Sequence, residues 1–132
     1  MRIEEIPTPA LLVDRARFRT NCDAMRAKAA AAGIGFRPHV KTHKTIEGAL
    51  LQHGGARGPI TVSTLAEAEF FAAAGFDDIT YAVPIDPGKL GRAAALGRRA
   101  RLHLLIDHED GLTALEEFAA AHAIRFSAFL KV

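Results

Sequence analysis

Short runs of aliphatic and β-branched residues recur along the chain, and alanine-rich stretches of helical periodicity separate them. The apolar runs lie near Ala10–Val13, Phe36–Lys41, Ile60–Ser63, Ile79–Val83, Leu102–Ile106 and Arg125–Leu130, and each has the length of a strand. Between them, Phe18, Cys22, Met25 and Ala29 form one stripe of a helix that Asp14 caps and Gly33 ends. Thr64-Leu65-Ala66-Glu67 reads as a capping box for a helix that stops at Gly75. Asp86-Pro87 puts a proline in the first turn of the next helix. An N-cap at Asp110 precedes Leu112, Leu115, Phe118 and Ala119, again at helical spacing.

Strand and helix alternating through short loops predict an α/β fold with a parallel sheet and right-handed crossovers. Two architectures fit: an open doubly wound sheet, or a (β/α)8 TIM barrel or a piece of one. A whole barrel takes about 250 residues, so this chain has room for about the first five barrel strands. The run Phe126–Val132 ends the chain inside an apolar strand pattern. The expectation is a barrel truncated in mid-barrel, with a small open sheet ending on an edge strand as the alternative.

Composition narrows the function classes. At 132 residues the chain can bury one core, and nothing suggests a second domain. Hydrophobic residues at 49% and charged residues at 24% are ordinary for a soluble globular protein. The net charge of +2 is too small to argue for nucleic acid. Its one basic cluster, Arg98-Arg99-Ala100-Arg101, reads as a solvated helix end. The single cysteine, Cys22, excludes an internal disulfide and suits a reducing compartment. No apolar run approaches the roughly 20 residues of a membrane span. The acidic start, Met1–Glu5, has no apolar signal-peptide region, so the cytoplasm is the expected location.

The chemistry concentrates in Arg37-Pro38-His39-Val40-Lys41-Thr42-His43-Lys44. On a strand, Arg37, His39 and Lys41 share one face, and Phe36, Pro38 and Val40 share the other. Three cationic or titratable side chains on one face of an α/β strand are costly unless that face lines a ligand site. The ligand should be anionic or electrophilic, and Lys41, near the strand end, is the best-placed reactive group. From the residues alone, an exposed lysine at a strand end remains the alternative.

Other candidates carry less. His39 and His43 are four apart, but across a strand and a turn they do not share the helical face of a zinc pair, so no metal ligands are assigned. Gly54-Gly55-Ala56-Arg57-Gly58 follows a helix and reads as a helix end and loop, not a phosphate cradle. Ser63 and Thr64 lie at a strand end, where the capping box accounts for Thr64. Tyr81 reads as a core tyrosine, and Asp107-His108-Glu109-Asp110 as the cap of the following helix.

Three segments carry a family resemblance. Ile6–Asp14 followed by an alanine-rich helix resembles the start of the D-threonine aldolase and D-serine dehydratase-like proteins. Phe36–Lys44 is similar to their cofactor-lysine segment, and Tyr81–Ile85, with Lys89-Leu90 after it, to their third barrel strand and exit loop. The resemblance runs along essentially the whole chain and is most specific at the lysine segment. These are alanine racemase-like, fold-type III pyridoxal phosphate enzymes with an N-terminal barrel and a C-terminal β domain. It implies that residues 1–132 are the N-terminal part of such a barrel, without the β domain, and that Lys41 forms the internal aldimine with pyridoxal 5′-phosphate. Arg37 and His39 would line the cofactor site, bias Lys41 toward its neutral form and hold hydrogen bonds.

For the full-length parent, the resemblance implies a lyase acting on small β-hydroxy-D-amino acids, an aldolase or a dehydratase. It would be a homodimer with a divalent metal in the later domain and no nucleic-acid or membrane partner. A racemase of the same fold type and a non-catalytic pyridoxal phosphate homeostasis protein are the alternatives. These 132 residues alone are expected to lack useful activity, and an unpaired strand edge should favour self-association.

Overall fold

In a computed structural model that describes residues 2–132, four strands form a single all-parallel sheet in the order β1-β2-β3-β4. These are β1 (Ile60–Val62), β2 (Asp78–Pro84), β3 (Arg101–Ile106) and β4 (Ser127–Leu130). The helices are α1 (Arg15–Ala31), α2 (Ile46–Gln52), α3 (Leu65–Ala73), α4 (Leu90–Gly97) and α5 (Glu109–Ala121), with short 3-10 turns at Ile3–Glu5 and Pro87–Lys89. Strand order follows chain order without the reversal that defines a doubly wound sheet. Met1, which opens the acidic start, lies outside the described residues.

Period-two alternation sorts the strand residues into two faces. Ile60, Val62, Ile79, Tyr81, Leu102, Leu104 and Ile106 join Leu65, Ala68 and Phe71 of α3 and Leu90, Ala93 and Leu96 of α4 in one buried cluster. Full burial of each large aliphatic side chain contributes about 1.5–3 kcal/mol. Phe71 meets Phe76 edge to face, with ring centroids 5.5 Å apart. Tyr81 is a core residue, 2% exposed, as its pattern predicts. The other face is polar: strand pairing sets Thr61, Thr80, His103 and Ser127 in one row across the sheet.

The helix signals act as expected, with two changes. Asp14 accepts from the Arg17 N–H and Thr64 from the Glu67 N–H. Gly33 and Gly75 have φ of +65° and +86°, the left-handed helix ends that glycine favours. The cap of α5 is His108, whose Nδ1 accepts from the Asp110 N–H, so Asp110 sits in the first turn instead of capping it. The capping box of α3 is incomplete: Glu67 reaches past Thr64 to the Ser63 N–H.

Two expected strands are absent from the sheet. Among the described residues Ala10–Val13 has no strand partner, and Leu11, Leu12 and Val13 stand exposed; an apolar run becomes a strand only where a neighbour completes its ladder. Phe36–Lys41 makes one parallel bridge, His39 to Thr61, with Val40 N–H to Thr61 O at 3.0 Å and Thr61 N–H to Pro38 O at 2.8 Å. Pro38 has no N–H to extend the ladder toward Pro59, and His53 Nε2 bonds the Pro59 carbonyl instead at 3.1 Å. On the other side the chain turns at once, because the His43 and Lys44 N–H groups both bond Val40 O.

Candidate active site

In an all-parallel sheet the strand C-termini share one edge, and this edge gathers Lys41, Ser63 and the N-terminus of α3. Residues Lys41–Lys44 form a turn closed by the Lys44 N–H to Val40 O bond of 2.8 Å. Lys44 has φ +51°, a conformation uncommon for a residue with a side chain. Lys41 is exposed, and among the described residues its ammonium has no hydrogen-bond or ion-pair partner. Lys44, three residues on, places Nζ 3.1 Å from Glu67 Oε1.

His39 supports the turn from beneath. Its Nδ1 accepts the Lys41 N–H at 3.2 Å, and its Nε2 lies 3.3 Å from Ser63 Oγ. Because Nδ1 accepts, the ring proton sits on Nε2 and is donated to Ser63. The Ser63 hydroxyl proton is then free to donate elsewhere. Burial and the Lys41 charge push the His39 ring below its usual range, against a weaker pull from Glu67, which favours this neutral form. Burial pushes the Glu67 carboxyl upward, but the Ser63 N–H and Lys44 outweigh it and hold the group below its ordinary range.

Arg37 sits at the opposite end. Its Nη1 donates to Asp78 Oδ1 at 2.5 Å, where β2 begins. His103 Nε2 reaches the same oxygen at 3.1 Å, and His103 Nδ1 lies 2.7 Å from Ser127 Oγ. Burial acts to raise the Asp78 carboxyl, but Arg37 and then His103 hold it low. The expected basic face is therefore divided: Arg37 is bound to a carboxylate at the strand N-termini, and His39 braces the lysine turn. His43 belongs to the packing of α1 against α2. Its ring meets Phe18 edge to face, bonds Gln52 through Nε2 and lies so close over Gly48 that a Cβ there would collide with it. Among the described residues no three or more His, Cys, Asp or Glu side chains are grouped to hold a metal ion, and no helix is long and apolar enough to cross a membrane.

Residues 13–132 match the family described as alanine racemase, N-terminal domain. D-serine dehydratase of Schizosaccharomyces pombe is 37% identical over 98% of this chain, and D-threonine aldolase of Arthrobacter sp. is 36% identical over 87%. The solved structure of D-threo-3-hydroxyaspartate dehydratase from Delftia sp. superposes with a TM-score of 0.88 at 38% identity, covering 96% of this chain. The chain belongs to the alanine racemase N-terminal domain family, and within it resembles D-amino-acid dehydratases and aldolases. It spans 34%, 31% and 34% of those three relatives, about a third of their length.

Glu67, Asp78 and His103 escaped the sequence reading. The capping box supplied a sufficient local reason for Glu67. Asp78 stood as a polar residue before a strand, and His103 was submerged in an apolar run. An unpaired alternation of polar residues in β2 and β3 was the available signal, because Asp78, Thr80 and His103 fall on the face opposite the core.

Proposed function

We propose that the whole protein is a pyridoxal phosphate-dependent lyase of β-hydroxy-D-amino acids, of aldolase or dehydratase type, and that Lys41 carries the cofactor. The observation that supports this most is the difference between the two turn lysines: Lys44 is paired with Glu67, and Lys41 is unpaired at the sheet's C-terminal edge. A free amine at that edge suits an aldehyde cofactor, and barrel enzymes place their chemistry there. When bound, pyridoxal phosphate supplies an electron-withdrawing ring that takes up the electrons left at the substrate's α-carbon.

This chain's residues have supporting parts. The neutral His39 ring fixes the Lys41 backbone and orients Ser63, whose hydroxyl has a proton to donate to a bound oxygen. Arg37 acts at a distance, by joining the segment that carries Lys41 to β2 through Asp78. The sequential parallel sheet is the first part of a (β/α)8 barrel in this reading. A divalent metal would take its ligands from outside the described residues, and the assembly would be a homodimer in the cytoplasm.

The test is turnover by the protein expressed from its complete reading frame and loaded with pyridoxal phosphate. D-serine and D-threo-3-hydroxyaspartate report dehydration by release of ammonia and a keto acid. D-threonine reports aldol cleavage by release of glycine. Turnover of one of these that disappears in Lys41→Ala supports the proposal. Unchanged turnover in Lys41→Ala, or racemisation alone, contradicts it.

A further inference from the structure

The carboxylate of Glu67 is more deeply placed than a helix cap requires. Its side chain is 10% exposed, and Thr64 Oγ1 already caps α3 by accepting the Glu67 N–H. A buried carboxylate is costly unless its oxygens are matched by donors. Here one oxygen accepts the Ser63 N–H at 2.8 Å and the other faces Lys44 Nζ at 3.1 Å.

Those contacts close a ring around the reactive lysine. The Lys41 N–H bonds His39, His39 bonds Ser63 Oγ, the Ser63 N–H bonds Glu67, and Glu67 pairs with Lys44. Both ends of the Lys41–Lys44 turn are thus referred to the first turn of α3. Lys44 also occupies a left-handed backbone conformation, φ +51°, which its side-chain tether helps to retain. The negative charge is taken up by Lys44, so Lys41 is left without a carboxylate partner.

We propose that Glu67 is a positioning residue for Lys41, acting through Lys44 and Ser63 to fix the turn and to keep a counter-charge off the reactive amine. This rests on the assignment of pyridoxal phosphate to Lys41. Neither Glu67 nor Lys44 is assigned a contact with the cofactor. Their removal should alter how the cofactor is held without moving its point of attachment.

The experiment uses the protein from its complete reading frame, loaded with pyridoxal phosphate. Glu67→Gln keeps an acceptor for Ser63 but loses the charge. Lys44→Met removes the other partner at a mostly exposed position, so it decides the matter should Glu67→Gln not fold. Glu69→Gln, which breaks an ion pair with Arg92 on the same helix, is the control. Three quantities are read: the attachment site after borohydride reduction, the visible circular dichroism of the bound cofactor, and its release rate. The expected result is release faster by on the order of tenfold in Glu67→Gln and Lys44→Met. The dichroism should change in both, the label should stay on Lys41, and Glu69→Gln should match the wild type. Label on Lys41 with wild-type dichroism and release in both variants overturns the positioning role alone. Label elsewhere in the wild type overturns the underlying assignment, and this proposal with it.

Discussion

The two ends of this sheet treat charge in opposite ways. At the strand N-termini the charged groups are paired: Arg37 and His103 converge on one Asp78 oxygen, Arg101 approaches the other at 3.5 Å, and Ser127 bonds His103. At the strand C-termini two lysines lie three residues apart, and the carboxylate takes only one of them. The first arrangement ties the segment bearing Lys41 to β2 and β3 and leaves little to react. The second spends its hydrogen bonds on the backbone around an amine that stays free. Stability belongs mainly to one end, and the proposed chemistry to the other.

Substitutions should separate the two ends, and the largest effect is expected at Lys41. Lys41→Ala abolishes covalent cofactor attachment and turnover, yet an exposed side chain without partners changes stability by no more than about 0.5 kcal/mol; mass spectrometry and thermal melting check the two halves. Asp78→Ala should do the reverse. It strands Arg37 and His103, whose side chains are 29% and 13% exposed. The cost should be about 2–3 kcal/mol, between the values for exposed and buried pairs, with Lys41 still labelled. Denaturant titration measures it.

Gly48→Ala tests the support beneath the turn, because a methyl group there must displace the His43 ring. A loss of about 1–3 kcal/mol is expected in the same titration, as for other overpacked sites. Acid should then distinguish the ends by pH. The His39 ring is held below its ordinary pKa, so the unfolded state protonates first and stability begins to fall as pH drops below about 6.5. His39→Gln removes that part of the slope. Asp78 and Glu67 are also held low, so their contribution is present above about pH 4 and is lost as pH falls further. Asp78→Asn flattens that lower limb. Glu69→Gln, at an exposed pair, should shift the melting curve by less than about 0.5 kcal/mol equivalent.

How much of this could be read from the sequence follows from how local each cause is. Helix caps at Asp14 and Thr64, the glycine stops and the core periodicity depend on neighbours in the chain, and they are where the pattern puts them. Lys41 and His39 stood out because alternating basic residues conflict with a buried strand. Strand pairing is not local, so Ala10–Val13 looked like a strand although, among the described residues, no strand pairs with it. The ladder at Phe36–Lys41 stops after one bridge because of Pro38 and the turn that follows. The pairings of Glu67 with Lys44, and of Asp78 with Arg37 and His103, join groups far apart in the chain, at distances no spacing rule reaches.

Lys41, free at the sheet's C-terminal edge, is the proposed cofactor anchor, and Lys44 is committed to Glu67. Borohydride reduction of the cofactor-loaded protein, followed by digestion and peptide sequencing, tests that assignment directly. The expected product is a reduced pyridoxyl group on Lys41 and none on Lys44. A label on Lys44, or no covalent label at all, would contradict it.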